Sequence, residues 1–348
     1  MPEHSNRARL ARRYRRLLLT YPRSYRHRHG AEIVTTLLDA AAADGDRPSR
    51  SEVVDLLTSG IRFRFRVWGA AGILAAITSA TFAAVALGAF GGYLGWQTAP
   101  PLPSNAEVLR MVEPALPPGA SAQPQRWDFI FDDNPEYTDP RWAYLVGGTD
   151  EYPAGKVFFQ FTYPYDKPPQ QVVAGADKQL RAAGWQPADR QMSGCCPETA
   201  LHRNGWLVEV FSEGHLDESH YGLQIAVART TPAAVLPLTT AGLLAGGLAG
   251  WLVAAWAFRH IQESSPARRA LVVAVFGAGL LALLPATALS TLTLTASYFT
   301  SHHPTEPAWV GYTFIFFRPL AYLGAAAIVG GLPLAKLSTP SRRGPLTA

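Results

Sequence analysis

Charged residues are missing from four long stretches of this 348-residue chain. The stretches 67–98, 233–258 and 270–298 contain no Asp, Glu, Lys or Arg, and 309–335 contains only Arg318. Each exceeds the roughly 20 apolar residues that cross about 30 Å of hydrocarbon. Four such runs exclude an ordinary soluble protein and predict an α-helical membrane protein with four spans at these positions.

Residue patterns that carry catalysis are also missing. No carboxylate lies in any predicted span, which argues against a proton- or sodium-coupled transporter. The sequence lacks a zinc-protease histidine pair, a nucleophile elbow, a phosphate-binding glycine loop and a dinucleotide fingerprint. The histidines outside the spans show no helical pair spacing, whereas a metal site needs three or four converging ligands. We therefore expect no enzyme, no cofactor and no metal site.

Cysteine is scarce, because Cys195 and Cys196 are the only two. A closed cysteine-rich zinc site is thereby excluded. Adjacent Cα atoms are about 3.8 Å apart, below the separation usual in disulfides, so a vicinal disulfide would be strained and easily reduced. That property suits a redox sensor. An intermolecular bridge between protomers and two free thiols are the alternatives.

Basic residues are unevenly distributed and predict the orientation of the chain. Residues 1–66 carry 14 Lys+Arg against 7 Asp+Glu, whereas 99–232 carries 10 against 17. The connector 259–269 and the tail 336–348 are basic, and the connector 299–308 is not. Basic loops stay in the cytoplasm. We therefore expect a plasma-membrane protein with both termini cytoplasmic, and we attribute the pI near 9.3 to topology and not to nucleic-acid binding.

Residues 1–66 show helical periodicity in three short segments. Pro22 separates the first two segments, and Ser49 with Glu52 fits a capping box that opens the third. The predicted inward stripes are Leu10, Tyr14, Leu17 and Leu18, then Ile33, Leu37, Leu38 and Ala41, then Val53, Leu57 and Ile61. The segment predicts a three-helix cytosolic domain.

The run "YRRLLLTYPRSYRHRHGAEIVTTLLD" and the later "SRSEVVDLLTSGIRFR" resemble the HAAS domain, a helical cytosolic module associated with PadR-type regulators. The likeness lies in the closing helix and in Leu18, Tyr21, Pro22, Tyr25, Arg26, Gly30, Glu32 and Ile33. It implies docking of a protein partner without catalysis. Physically, Tyr21 and Tyr25 would wedge the turn at Pro22, and Gly30 would permit a bend before Glu32 opens the next helix. A scaffold that only caps the membrane part, or lipid contact by Arg7–Arg16, is the alternative.

The middle segment 99–232 is long enough for one domain with its own core. It opens with a proline-rich linker, and its alternating runs predict strands at 126–132, 141–148, 156–164, 205–213 and 221–229. Residues 168–187 predict one helix that ends at Gly184. Strands with one intervening helix indicate an extracytoplasmic α+β domain with a mostly antiparallel sheet.

Small residues recur at four-residue spacing in the first two spans, which lets helix backbones approach closely. The glycines involved are Gly88, Gly91, Gly92, Gly95, Gly242, Gly246 and Gly250. They predict a packed bundle or a dimer face.

Arg318 is the single charge within a predicted span. If the fourth helix starts at Trp309, Arg318 lies near mid-membrane and is a functional-site candidate. If the helix starts at Pro319, the preceding aromatic run is an interfacial belt and Arg318 extends to the headgroups.

This layout predicts a bacterial membrane sensor or regulatory protein that couples an extracytoplasmic domain to a cytosolic docking module. The alternative is a non-catalytic accessory subunit of a transporter or cell-envelope complex; a permease ranks below both. The expected partners are the lipid bilayer, a PadR-type cytosolic regulator or a membrane complex, and a second copy of the chain.

Overall fold

The computed structural model describes residues 2–41, 48–67, 69–116, 124–127, 155–164, 168–188, 198–215, 220–262, 264–299, 307–314 and 316–337. Its helices are α1 (Pro2–Leu17), α2 (Arg23–Ala41), α3 (Arg50–Phe65), α4 (Ala70–Trp96), α5 (Asn105–Val112), α6 (Pro169–Ala182), α7 (Val235–Gln262), α8 (Pro266–Phe299), α9 (Val310–Thr313) and α10 (Arg318–Leu337). Its strands are β1 (Gln125–Trp127), β2 (Lys156–Pro164), β3 (Gln186–Pro187), β4 (Glu198–Arg203), β5 (Trp206–His215) and β6 (His220–Arg229).

The chain divides into two compact units. The first unit comprises Met1–Thr81, Leu248–Val272 and Leu332–Ala348; the second comprises Phe82–Gly247 and Val273–Gly331. The first therefore holds α1 to α3, and the second holds the sheet with α5, α6 and α9.

Four helices, α4, α7, α8 and α10, are long and apolar enough to cross a membrane. The prediction of a mainly helical chain with four such helices and an antiparallel sheet is confirmed. Several helix bounds differ from expectation. Helices α7 and α8 extend into the predicted connector 259–269, and α10 begins at Arg318 and not at Trp309. The residues before Arg318 instead form the separate short helix α9.

Helices α1 to α3 enclose a small core around the turn that joins α1 to α2. Helix α1 ends in a 3-10 turn at Leu18–Thr20, and the buried side chains are Leu10, Tyr14, Leu18, Tyr21 and Val34. Ser49 caps α3, because its hydroxyl accepts from the Glu52 N–H while the Glu52 carboxylate accepts from the Ser49 N–H.

Helix α2 runs through Gly30 and Glu32 without a bend, so the expected break at Gly30 is wrong. Pro22 already fixes where α2 can begin, and a single glycine costs a helix only about 1 kcal/mol. A Cβ atom at Gly30 would meet only the Arg26 Cβ, at 3.9 Å. No close contact therefore requires glycine at this position.

The inward face of α3 is also displaced from the predicted stripe. Ile61 is 49% exposed, whereas Leu56 and Phe63 pack against the core. The cause is Gly60, which faces the turn: a Cβ atom there would overlap the Thr20 side chain. The absence of a side chain at this position lets α3 lie directly against residues 20 and 21.

The sheet is antiparallel, with strand order β1-β2-β6-β5-β4-β3. Alternate residues of β2 and β6 are buried on one face, under α5 and α6. Side chains two residues apart point to the same face of a strand, which is why these residues meet the same two helices. The buried residues of the two strands are Val157, Phe159, Phe161, Leu223, Ile225 and Val227.

Several elements were missed in the sequence, and one of them is the two-residue strand β3. Helix α5 lies where a linker was expected, and its capping box, Ser104 with Glu107, is the overlooked indication. Strand β4 was missed although the Asn204-Gly205 pair that joins it to β5 is a strong hairpin sequence. Both residues have positive φ, 49° and 83°, as a tight hairpin turn requires. Of the other predicted strands, 141–148 and most of 126–132 lie outside the described residues.

Within the second unit, α4 and α7 pack backbone against backbone at their glycines. A Cβ atom at Gly91 would overlap the Leu238 carbonyl, and one at Gly242 the Leu87 carbonyl. Gly88 receives the Leu243 side chain and Gly95 the Val235 backbone, while Gly92 lies near Thr239 and Gly250 is buried in α7. All of them except Gly250 thus pack between α4 and α7 of one chain, whereas Gly250 belongs to the first unit.

Gly246→Ala should destabilise the protein, because the added Cβ would overlap the Ala83 carbonyl and force α4 and α7 apart. Overpacking of this kind costs about 1–3 kcal/mol. We expect a lower thermal unfolding temperature in detergent micelles. The matched control is Gly247→Ala, whose Cβ would make an ordinary 3.8 Å contact with Ala84. Equal effects of the two substitutions would contradict the observed helix pairing.

Candidate functional site

An aromatic cluster surrounds the turn between α1 and α2. Tyr21 stacks on Tyr25 with ring centroids 5.5 Å apart, and Phe63 of α3 lies 5.8 Å from Tyr21 and 4.7 Å from Tyr25. Burial raises the pKa of the Tyr21 hydroxyl above its ordinary value. The cluster joins α2 and α3 to the turn after α1, and Tyr21 is part of the buried core of the domain.

The predicted docking residues differ in their exposure. Tyr21 is only 5% exposed. Pro22, Tyr25 and Gly30 are half-buried, and Glu32 is exposed beside His29, whose Nδ1 lies 3.6 Å from the Glu32 carboxylate. Glu32 and the neighbouring exposed side chains of α2 are thus the part of this set that a partner could reach directly.

Arg64 of α3 binds the same turn by hydrogen bonds. Its guanidinium donates from Nη2 to the Leu19 carbonyl at 2.7 Å and from Nε to the Thr20 carbonyl. The 3-10 turn leaves these carbonyls without helical partners, and a guanidinium can satisfy two of them at once.

The carboxyl end of α3 is held by the part of α7 after Gly247, which belongs to the first unit together with α3. Arg259 donates from Nη1 to the Phe63 carbonyl, and Trp251 donates from Nε1 to the Phe65 carbonyl, each at 3.0 Å. The last carbonyls of a helix lack intrahelical donors, and a cation is favoured there. We call Phe63, Phe65, Trp251 and Arg259 the α3–α7 junction.

The junction was not found from the sequence. In the sequence, Arg259 is one of the basic residues of the connector 259–269 that predict the orientation of the chain. No pattern distinguishes Trp251 from the other eight tryptophans. The sequence pattern carries no indication of it, because the donors and acceptors lie 186 and 196 residues apart.

Arg318 is buried in the second unit, with only 1% of its surface exposed. Its Nε and Nη2 donate to the Thr313 carbonyl at 2.9 and 2.6 Å. Helix α10 starts at Arg318, close to the start that the interfacial alternative required, but the side chain turns back onto α9 instead of reaching outwards. The physical reason is the carbonyl that the end of α9 leaves available.

Helix α9, which precedes Arg318 in the sequence, packs against polar side chains of α8. Tyr312 shares a 3.1 Å hydrogen bond with the Thr287 hydroxyl, and Gly311 packs tightly on Ala286 and Ser290. The Ser290 hydroxyl is buried without a hydrogen-bond partner in the described part of the chain. This arrangement fixes α9 against α8.

The cysteine candidates, Cys195 and Cys196, lie outside the described residues, as do His302 and His303. Across the ranges that the structure describes, no group of three His, Cys, Asp or Glu side chains converges as a metal site would. The expectations of a redox pair and of no metal therefore stay predictions.

Comparison with known proteins gives no relative of this chain. It matches no protein-family model, and no curated protein and no solved structure matches it. The resemblance of residues 1–66 to the HAAS domain thus stays a prediction from the residues themselves.

Trp251→Phe should loosen the end of α3, because phenylalanine keeps the ring but cannot donate to the Phe65 carbonyl. The lost hydrogen bond is worth about 1 kcal/mol. We expect faster hydrogen–deuterium exchange of residues 60–66, measured by mass spectrometry. Trp256→Phe is the matched control, since the Trp256 ring packs on His260 of its own helix. Unchanged exchange in Trp251→Phe would contradict the proposed role of the junction.

Proposed function

We propose that this chain is a non-enzymatic regulatory protein of the bacterial plasma membrane, with four spans. It couples an extracytoplasmic α+β domain, residues 99–232, to a cytosolic docking module, residues 1–66. The orientation rests on the basic residues that flank the spans. The observation that carries the proposal is the α3–α7 junction, because it bonds the docking module to a span by two specific hydrogen bonds.

Helix α7 is the element that would transmit a change. It begins at Val235, soon after β6 ends at Arg229, and it carries Trp251 and Arg259 towards its other end. A helix is stiff along its axis, since each turn is hydrogen-bonded to the next. Movement at the start of α7 would therefore alter the bonds that hold the end of α3.

The two chain connections between the sheet domain and the spans are held close to each other by direct contacts. Arg229 donates from Nε to the Pro100 carbonyl at 2.7 Å, and Gly95 packs on the Val235 backbone. The chain enters the domain after α4 and leaves it before α7, and these contacts join the two connections. A change in the domain would thus reach α4 and α7 together.

The input would be a ligand bound by the extracytoplasmic domain or a redox change at Cys195 and Cys196. The output would be altered access to the exposed side of α2, around Glu32, for a cytosolic regulator of the PadR type. Such a mechanism requires two conformations that differ by a few kcal/mol and that the input binds unequally.

An accessory subunit of a transporter or envelope complex is the second candidate. A Cβ atom at Gly277 of α8 or at Gly330 of α10 would meet no atom within 4 Å. Small residues on an open helix surface favour contact with another membrane helix. That helix would belong to a complex partner or to a second copy of this chain.

Purification of the full-length protein in mild detergent, followed by mass spectrometry of the bound proteins, distinguishes the two candidates. We expect a cytosolic regulator, and its recovery should fall severalfold for Glu32→Lys, which reverses the charge on α2. Asp55→Lys is the control, because it makes the same charge change on an exposed position of α3. Recovery of a permease or an ATPase instead would favour the accessory role. Recovery of neither would contradict both.

A further inference from the structure

A cavity of about 320 Å³ opens in the sheet domain, between α5, the end of α6 and the hairpin of β4 and β5. Its walls include Arg110, Met111, Trp185, Arg203 and Trp206. All of them belong to the second unit and to the described residues. The volume lies at the small end of the range for ligand pockets, about 300–1,000 Å³, and so suits a molecule with one ring.

Two tryptophans give the cavity flat apolar surface. Trp185 is held by the domain core with 5% of its surface exposed, and its backbone N–H donates to the Leu180 carbonyl. Trp206 follows the positive-φ pair Asn204-Gly205 and is half-buried. Rigid indole rings bind the face of a planar or saturated ring with little loss of conformational entropy.

Two arginines give the cavity positive charge. Arg203 donates from Nη1 to the Ala183 carbonyl at 2.6 Å, and Arg110 donates from Nε to the Ala106 carbonyl at 3.2 Å. These bonds orient both side chains and use few of the five N–H donors that each guanidinium has. Arginine binds carboxylate and phosphate groups through pairs of such donors.

Glu107 is the one carboxylate among the described wall residues, and it does not cancel the charge of both arginines. Its Oε2 accepts from the Ser104 N–H and hydroxyl, both at 2.8 Å, as part of the capping box of α5. These hydrogen bonds lower the pKa of Glu107, so it stays ionised and balances one arginine. The walls keep a net positive charge in a domain that carries 17 acidic against 10 basic residues. A local excess of cations in an acidic domain indicates anion binding.

We propose that this cavity binds a small anion that carries a ring. The ring would lie against Trp185 and Trp206, and a carboxylate or phosphate group would be held by Arg110 and Arg203. An aromatic acid and an acidic sugar share this chemistry. The site deepens the proposed function, since it names the kind of ligand that the extracytoplasmic domain recognises.

Titration calorimetry on the full-length protein in detergent micelles tests the site with four probes. The acids are phenylacetate and glucuronate, and their neutral analogues are phenylacetamide and glucose. We expect one acid to bind, and its neutral analogue to bind at least tenfold more weakly. Binding of phenylacetate would identify the ligand as an aromatic acid, and binding of glucuronate would identify it as an acidic sugar. No binding of either acid at millimolar concentration would overturn the site, as would equal binding of an acid and its neutral analogue.

Substitutions locate the binding. Arg110→Gln and Arg203→Gln should each weaken it at least tenfold. Arg181→Gln should leave it unchanged, because Arg181 pairs with Asp177 on α6 and is not part of the cavity wall. Trp206→Leu keeps both arginines but removes one of the two indole rings, so it should also weaken binding. Thermal unfolding of each variant verifies that it is folded. Binding that persists in the folded arginine variants would overturn the proposal.

Adding the acid that binds during purification of the protein with its partner distinguishes a failure of this site from a failure of the proposed function. If the acid binds and the recovery of the cytosolic partner does not change on its addition, the site stands and the coupling fails. If a partner is recovered while neither acid binds, the docking role stands and the site fails.

Discussion

The contact between the backbones of α4 and α7 is the constraint on which the second unit depends. In hydrocarbon, apolar side chains gain little by touching one another, so helices associate through close packing and interhelical hydrogen bonds. Glycines at Gly91, Gly242 and Gly246 make this packing as close as backbones allow. The same contact brings the end of α4 to the start of α7, where Gly95 meets Val235. The sheet domain is inserted in the chain between these two ends. The packing of α4 on α7 therefore fixes the distance between its two chain connections.

Arginine binding to backbone carbonyls is the second recurring interaction. Arg64, Arg229, Arg259 and Arg318 all donate to carbonyl oxygens, which lie at turns, at helix ends or in the connection after α4. Such carbonyls have no donor within their own element, and a guanidinium has five donors in a rigid plane. Only four of the 31 basic residues are lysine, which lacks this geometry. The preference for arginine over lysine thus has a structural use.

The sequence predicted those features that depend on local pattern. Charge-free runs located the four apolar helices, alternation located β2, β5 and β6, and Ser49 with Glu52 located the start of α3. The failures have physical causes. The stripe of α3 was misplaced because Gly60, and not a large apolar residue, faces the turn. The contacts of Arg64, Arg259 and Arg318 depend on carbonyls whose positions are set by the tertiary fold. The cavity joins α5 to a hairpin almost a hundred residues away, which no local pattern reveals.

Coupling between the two domains presupposes that they lie on opposite sides of the membrane, and the cysteines test this most directly. Cys195 and Cys196 are the only two in the chain and lie within the segment predicted to be extracytoplasmic. After mild reduction, a membrane-impermeant maleimide should label them in intact cells. In a chain with both replaced by serine, Ser51→Cys should be labelled only after the cells are permeabilised. The opposite pattern, with Ser51→Cys labelled in intact cells and the native pair protected, would contradict the account.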